Sequence, residues 1–414
     1  MTKLRAFLAM TLVSLLLSSA AGASRFKVLH NFGATGDGAS PAGPPLLTGT
    51  GLYGITAVGG TSNQCEYGCG TAYHIRSVKG GFAYSVIYDF SYAFSTNPDG
   101  DLVADTAGNL YGTALGFGSI VFELQTSMEG WSFSSIYDGG AEPGLTIDAS
   151  GNIFGVIGGG VNNGAGALGE LSPLDGGWNY TTLYSFCSQP KCADGAPPYN
   201  PVSMDEAGNL YGTTYDAGFK NEGIAYQLNR GTDPATGATT WTYYIMHSFG
   251  ISELPDDGRN PNGGLTEDRS GNAFGTTPVG GQGCPFPGCG TVFELSPNPY
   301  EPGIWREKIL YDFPGDTSCA QGCAPAYNLV FDKAGNLYGI NGGGLTCPGG
   351  APCGMVYKLT PTESGPWIYT IVHEFNGDDG EYPIGLAIDG RGNLFGTTQR
   401  GGRYGSGVVF EITP

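Results

Sequence analysis

Histidine and basic residues are scarce in this chain: four His, and 18 Lys and Arg against 37 Asp and Glu, in 414 residues. A formal charge of −19 gives a surface that repels phosphate backbones, which excludes nucleic acid as a partner. Cationic partners and divalent cations are compatible with it, as is a plain solvated acidic surface. Past residue 17 there is no long apolar run, so no segment reads as a membrane span. No stretch outside the N-terminus keeps a 3.6-residue apolar period, so helix should be nearly absent. The G-x-S-x-G, H-E-x-x-H and G-x-x-x-x-G-K patterns are missing, and with them the signatures of elbow-serine hydrolases, zinc peptidases and phosphate loops. Stretches such as Gly342-Gly343-Gly344 lack the strand-to-helix context of a phosphate loop and read as turns.

The chain does carry 73 Gly, 12% aromatic residues and a recurring phrase. The glycines follow no three-residue period, which excludes collagen. Gly-Asn-Leu-Tyr-Gly or a close variant starts at Gly108, Gly151, Gly208, Gly271, Gly335 and Gly392, and a worn copy without Asn starts at Gly51. Around each copy, short alternating segments are bounded by Gly, Pro and Asp clusters. In the fifth repeat they are Gly264–Asp268 (a), Asn272–Thr277 (b), Gly290–Leu295 (c) and Trp305–Phe313 (d). Seven four-stranded units predict an all-β, seven-bladed β-propeller. The last repeat stops after Val408–Ile412, its strand c. A matching strand d, Phe26–Phe32, stands near the N-terminus and resembles Ile371–Phe375, so it should complete the last blade and close the ring.

Residues 1–23 read as a secretory signal: basic Lys3 and Arg5, an apolar Ala6–Leu17 and a small-residue cleavage site at Ala21-Gly22-Ala23. Residues 24–414 then form one domain, secreted or periplasmic and monomeric.

Asp105, Asp148, Asp205, Asp268, Asp332 and Asp389 each precede a turn Gly by three residues. They could be a catalytic set, but six equivalent copies fit turn caps better. His30, His247 and His373 share one position of strand d with Tyr88, Tyr137, Tyr184 and Tyr311, a pattern that asks for a flat amphipathic ring rather than imidazole chemistry. Five Trp residues stand six residues earlier and read as blade packing, with a sugar platform as the alternative.

The ten cysteines fall into close pairs: Cys65/Cys69, Cys187/Cys192, Cys284/Cys289, Cys319/Cys323 and Cys347/Cys353. With an export signal these predict five local disulfides; zinc is the competing reading, without His at ligand spacing. All five pairs fall in b–c or d–a loops, hence on one face. The d–a loops also carry Asp-Gly-x-x-Pro, beginning at Asp37, Asp194, Asp257 and Asp379. That varied, stapled face is the expected site. Within it, Asp256 and Asp257, and Asp378 and Asp379, could hold Ca²⁺ through carboxylate oxygens; Asp-initiated turns are the alternative. No other cofactor is indicated.

The combination Asp-x-x-Gly-Asn-Leu-Tyr-Gly-Thr-Thr, Gly-x-Val-Phe-Glu-Leu and Trp-x-x-x-x-Leu-Tyr-x-Phe resembles the GloVer tandem-repeat proteins, secreted bacterial proteins with differing C-terminal surface anchors. The resemblance implies an exported repeat protein and supplies no activity. No anchor follows Pro414 in this sequence, so free secretion is expected. Three readings remain: a binding or adhesion module for a glycan, peptide or surface partner; an extracellular hydrolase or lyase using channel-mouth carboxylates, with Ca²⁺ if it is needed; and a purely structural envelope protein. Convergence of non-repeating carboxylates at the channel mouth would favour the enzyme; an aromatic-lined, neutral mouth would favour the binder.

Overall fold

The repeated phrase makes a hairpin for a reason visible in its hydrogen bonds. Asp105 Oδ1 accepts from the backbone N–H groups of Ala107 and Asn109, each at 2.9 Å. Its Oδ2 accepts from Asn109 Nδ2 at 2.8 Å and from the Tyr111 hydroxyl at 3.1 Å. The same capping by Asp recurs at Asp148, Asp205, Asp268, Asp332 and Asp389. The turn glycine takes φ between 80° and 90° in all six copies, a region open to Gly at little cost. These six aspartates are caps.

The computed structural model describes residues 24–91, 97–115, 118–158, 164–250, 257–282, 288–301, 303–314 and 319–414. The signal segment 1–23 lies outside them. The hairpins build seven antiparallel sheets; in six the strands follow chain order from a, innermost, to d, outermost, and in the seventh the N-terminal strand takes the place of d. In the fifth blade they are Thr266–Glu267, Ala273–Thr277, Thr291–Pro297 and Trp305–Asp312. The first blade carries an additional strand, and a small ribbon pairs Gly258–Arg259 with Val279–Gly280. Helix in the described residues is limited to short 3₁₀ turns such as Pro190–Cys192. The protein is an all-β seven-bladed propeller.

Ring closure follows the sequence expectation. Arg25–Asn31 pairs antiparallel with Val408–Thr413, from Arg25 opposite Thr413 to Asn31 opposite Val408. It is thus strand d of the seventh blade, outside Val408–Thr413, Leu394–Arg400 and Glu381–Ile388.

Aromatic side chains join each blade to the next. A Phe two residues past the His/Tyr position is buried in six blades: Phe32, Phe90, Phe186, Phe249, Phe313 and Phe375, none more than 1% exposed. Each meets a strand c ring of the following blade, as in Phe32–Tyr73, Phe186–Tyr226 and Phe375–Phe410, at centroid distances of 5.1–5.2 Å. The tryptophans do the same further along. Trp131, Trp178 and Trp241 pack edge-on against Tyr53, Tyr111 and Phe154 of the preceding blade. They are half-buried packing residues.

Candidate functional site

The two ends of the ring differ in kind. The a–b turns end one face with near-identical hairpins, beside c–d turns that are tight in the first three blades and longer in the fourth to sixth; the b–c and d–a loops end the other face with unequal ones. Disulfides Cys65–Cys69, Cys187–Cys192, Cys319–Cys323 and Cys347–Cys353 all lie on the loop-rich face. Cys284 lies outside the described residues; its expected partner Cys289 is buried. Exposed aromatic rings gather on the same face: Tyr67, Tyr199, Tyr215, Phe219, Tyr327 and Tyr404, with Tyr67 and Phe219 more than 70% exposed. Among the described residues Tyr300 alone is a comparably exposed ring on the turn face.

At the centre of the loop-rich face the channel mouth is acidic. Counting back from each turn Asp, the fourth position holds Gly144, Pro201, Gly264, Asn328 and Gly385, but Asp101 in the second blade. These small residues bring the strands close; a Cβ on Gly144 would lie 2.4 Å from Pro201 Cα. Two residues earlier stand Asp99 and, in the third blade, Glu142. Burial raises the carboxyls of all three. Asp101 is pushed up to about 7 by burial and then by the charge of Asp99, which also lifts Glu142. Asp101 therefore keeps its proton into the neutral range, beside two carboxyls that burial also raises. Tyr327 belongs to the same group: burial and then the charges of Asp99 and Asp101 raise its hydroxyl. Its φ of 64° is unusual for an aromatic residue and sets the ring at the rim.

Below the mouth a cavity of about 320 Å³ runs along the channel past Asp101, Ser203, Glu267 and Tyr327. Glu267 accepts from Ser203 Oγ at 2.7 Å, and burial raises it to about 7. Two wider depressions, of about 830 and 1090 Å³, open on the turn face between hairpins. They are lined by the capping aspartates, whose oxygens are already engaged by their own turns, so they offer less unassigned chemistry than the channel mouth.

The expected Ca²⁺ positions divide. Asp256 lies outside the described residues. Asp257 is buried and faces His247 Nε2 at 3.3 Å. Asp379 accepts from His373 at 3.0 Å and from Asn376 through both backbone and side chain. Asp378 is exposed beside it. His30 likewise holds Asp37 at 2.8 Å, and the Tyr184 hydroxyl donates to Asp194 at 2.7 Å. The Asp of each Asp-Gly-x-x-Pro loop is thus latched to the His or Tyr of its own strand d. The sequence showed both halves of this pairing without showing that they meet. It also left Asp99, Asp101, Glu142 and Tyr327 unremarked; aligning the repeats on the turn Asp was the signal that would have exposed them.

The architecture and its one-sided loops define a repeat propeller with its variable surface at one end. The chain belongs to the Gloeobacter/Verrucomicrobia repeat family, whose profile matches residues 116–347. No curated protein sequence matches it. Among solved structures it is similar to a candidate 6-phosphogluconolactonase from Bacteroides fragilis, at 16% identity and TM-score 0.49, covering 86% of this chain and 87% of that one. A Dyadobacter fermentans protein of unknown function is similar at 12% identity and TM-score 0.45, over 95% and 100% of the two chains. An ancestral GH74 enzyme aligns at 8% identity and TM-score 0.53, over 91% of this chain and 51% of its own. These likenesses concern the fold. No helix of the described residues is long and apolar enough to cross a membrane.

Proposed function

We propose that the protein is an exported, monomeric binding propeller that holds a glycan or peptide partner on its loop-rich face, residues 1–23 serving as the export signal. The observation that carries this reading is the gathering of six exposed rings on that face, around an acidic channel mouth. Rings stack on the apolar faces of sugars and side chains, while carboxylates accept from hydroxyl and amino groups. Neutral or cationic ligands suit such a surface; polyanions do not. A glycan array probed with the tag-free chain beginning at Ser24, with and without Ca²⁺, should show discrete neutral or amino-sugar hits. Replacing Tyr215 and Phe219 together by Ser should weaken them about tenfold or more, as loss of roughly 1.4 kcal/mol or more implies. A blank array, or hits that the double variant leaves unchanged, counts against recognition of sugars by these rings.

The non-repeating carboxylates Asp99, Asp101 and Glu142 do converge at the mouth, the arrangement that favours an enzyme, so they support a second reading, an extracellular hydrolase or lyase; the binding reading rests on the exposed rings of the surrounding loops. Asp101 would act as general acid while it retains its proton, with Asp99 or Glu142 as the base. Ca²⁺ would enter at Asp378 and Asp379, where Asp378 is exposed. In this reading, release of reducing ends from a panel of neutral polysaccharides falls as pH rises through about 7, where Asp101 loses its proton. Asp101→Asn should remove that activity while leaving the array hits in place. Activity unchanged in Asp101→Asn removes Asp101 from the chemistry.

A further inference from the structure

One seam between blades breaks the aromatic rule. Four residues before the His/Tyr position, strand d carries Phe26, Tyr84, Phe133, Tyr180, Tyr243 and Tyr369, but Glu307 in the fifth blade. Each of those six rings lies against the His or Tyr of the preceding blade. His373–Phe26, His30–Tyr84 and Tyr184–Tyr243 are parallel stacks at 3.8, 3.7 and 3.8 Å. Tyr88–Phe133, Tyr137–Tyr180 and Tyr311–Tyr369 complete the set. At the seam between blades 4 and 5, His247 faces a carboxylate in place of a ring.

His247, Asp257 and Glu307 each present one ligand atom, all within 4.8 Å of one another. The side chains are 14%, 4% and 13% exposed. His247 Nε2 lies 3.3 Å from Asp257 Oδ1 and 3.6 Å from Glu307 Oε2. Charge-assisted hydrogen bonds are shorter, about 2.7–2.9 Å. The equivalent His–Asp pairs at His30 and His373, which have no Glu, close to 2.8 and 3.0 Å. A tetrahedral shell with metal–ligand bonds of about 2.0–2.1 Å has ligand–ligand edges of about 3.3 Å. Glu307 Oε1, buried, has no hydrogen-bond partner in the structure. In the form that binds metal, a neutral imidazole with two carboxylates, the trio carries two negative charges that a divalent cation would neutralise.

We propose that His247, Asp257 and Glu307 form a divalent transition-metal site that fastens blades 4 and 5 where the aromatic stack is missing. One imidazole with two carboxylates suits Zn²⁺ and its first-row neighbours; the imidazole disfavours Ca²⁺, which takes oxygen ligands. The site is separate from the channel mouth and does not depend on the function proposed there.

The test is calorimetric titration of the EDTA-treated, tag-free chain beginning at Ser24 with Zn²⁺ and, separately, Ca²⁺, paired with thermal melts. One equivalent of Zn²⁺ should bind and raise Tm, with Ca²⁺ failing to compete. Glu307→Gln should weaken Zn²⁺ at least tenfold. Glu307→Tyr, which restores the ring found in other blades, should abolish binding while melting no lower than the metal-free wild type. Asp37→Asn, at the ring-stacked His30 pair, should leave the Zn²⁺ isotherm unchanged. Absence of Zn²⁺ binding, or binding that persists in Glu307→Tyr, overturns the assignment. Should Glu307→Tyr fail to fold, the Glu307→Gln isotherm decides alone.

Discussion

A chain starting at Gly33 is expected to lose the cooperative unfolding transition of the intact ring at 25 °C. The missing segment supplies all of strand d in the seventh blade, paired along Val408–Thr413. It also carries two anchoring rings. Phe32 is fully buried against Tyr73, and Phe26 packs on Phe375 and Phe410 while stacking on His373. Loss of the buried Phe32 alone costs about 3–5 kcal/mol, and the half-buried Phe26 adds to it, before any ladder bonds are counted. Whole domains are stable by only about 5–15 kcal/mol. Deletion also leaves strand Val408–Thr413 as an open edge, a template for aggregation. Circular dichroism melts and light scattering check this, and adding a synthetic peptide of residues 24–32 should restore the transition in part. A Tm unchanged by the deletion would mean that the ring is closed by other contacts.

Replacement of Asp332 by Ala should cost about 3 kcal/mol, a large effect for a residue in an exposed hairpin. Its carboxylate accepts from the backbone N–H groups of Ala334 and Asn336, from Asn336 Nδ2 and from the Tyr338 hydroxyl. Bonds to a charged acceptor contribute about 1.5–3 kcal/mol each at most, less where water competes, and their removal strands several donors at once. Burial alone would raise the Asp332 carboxyl, but the bonds from Asn336, Ala334 and Tyr338 outweigh it and hold it below the usual range. Asp389 is held low in the same way, with Arg391 helping. A depressed folded-state value means stability that is complete above the unfolded carboxylate value of about 3.9 and is lost as pH falls through the folded one. The caps should therefore make wild-type Tm drop steeply below about pH 4, while the buried carboxyls of Asp101, Glu267 and Glu307, raised to about 7, lower it as pH rises from about 4 to 7. Asp332→Asn should flatten part of that drop. Urea melts of Asp332→Ala that match wild type at pH 7 would contradict the capping account.

Most of the fold was legible because its determinants repeat. Asp-x-x-Gly-Asn encodes a turn whose capping carboxylate finds its hydrogen-bond donors within six residues, so sequence alone specifies it. Ring closure was legible because a strand missing at one end reappears at the other. The site was less so. Asp101 and Glu142 lie in different blades, and only the ring brings them to one rim beside Tyr327. Their raised protonation comes from burial and from the charge of Asp99, neither of which has a spacing signature. The latch between strand d and the following loop was hidden for a similar reason. His247 and Asp257 are ten residues apart, but Glu307 comes from the next blade. The informative positions were exceptions to the repeat, and an exception is visible only once the rule has been aligned.

The central claim is that the regular hairpins are scaffold and the unequal loops are the working surface. Hydrogen exchange of the protein, with and without the array oligosaccharide that gives the strongest signal, tests it most directly. The account predicts slowed exchange in segments 199–219, 325–328 and 403–406, with the hairpins around Asp105, Asp268 and Asp332 unchanged. Protection of those hairpins, with the loops unaffected, would contradict it.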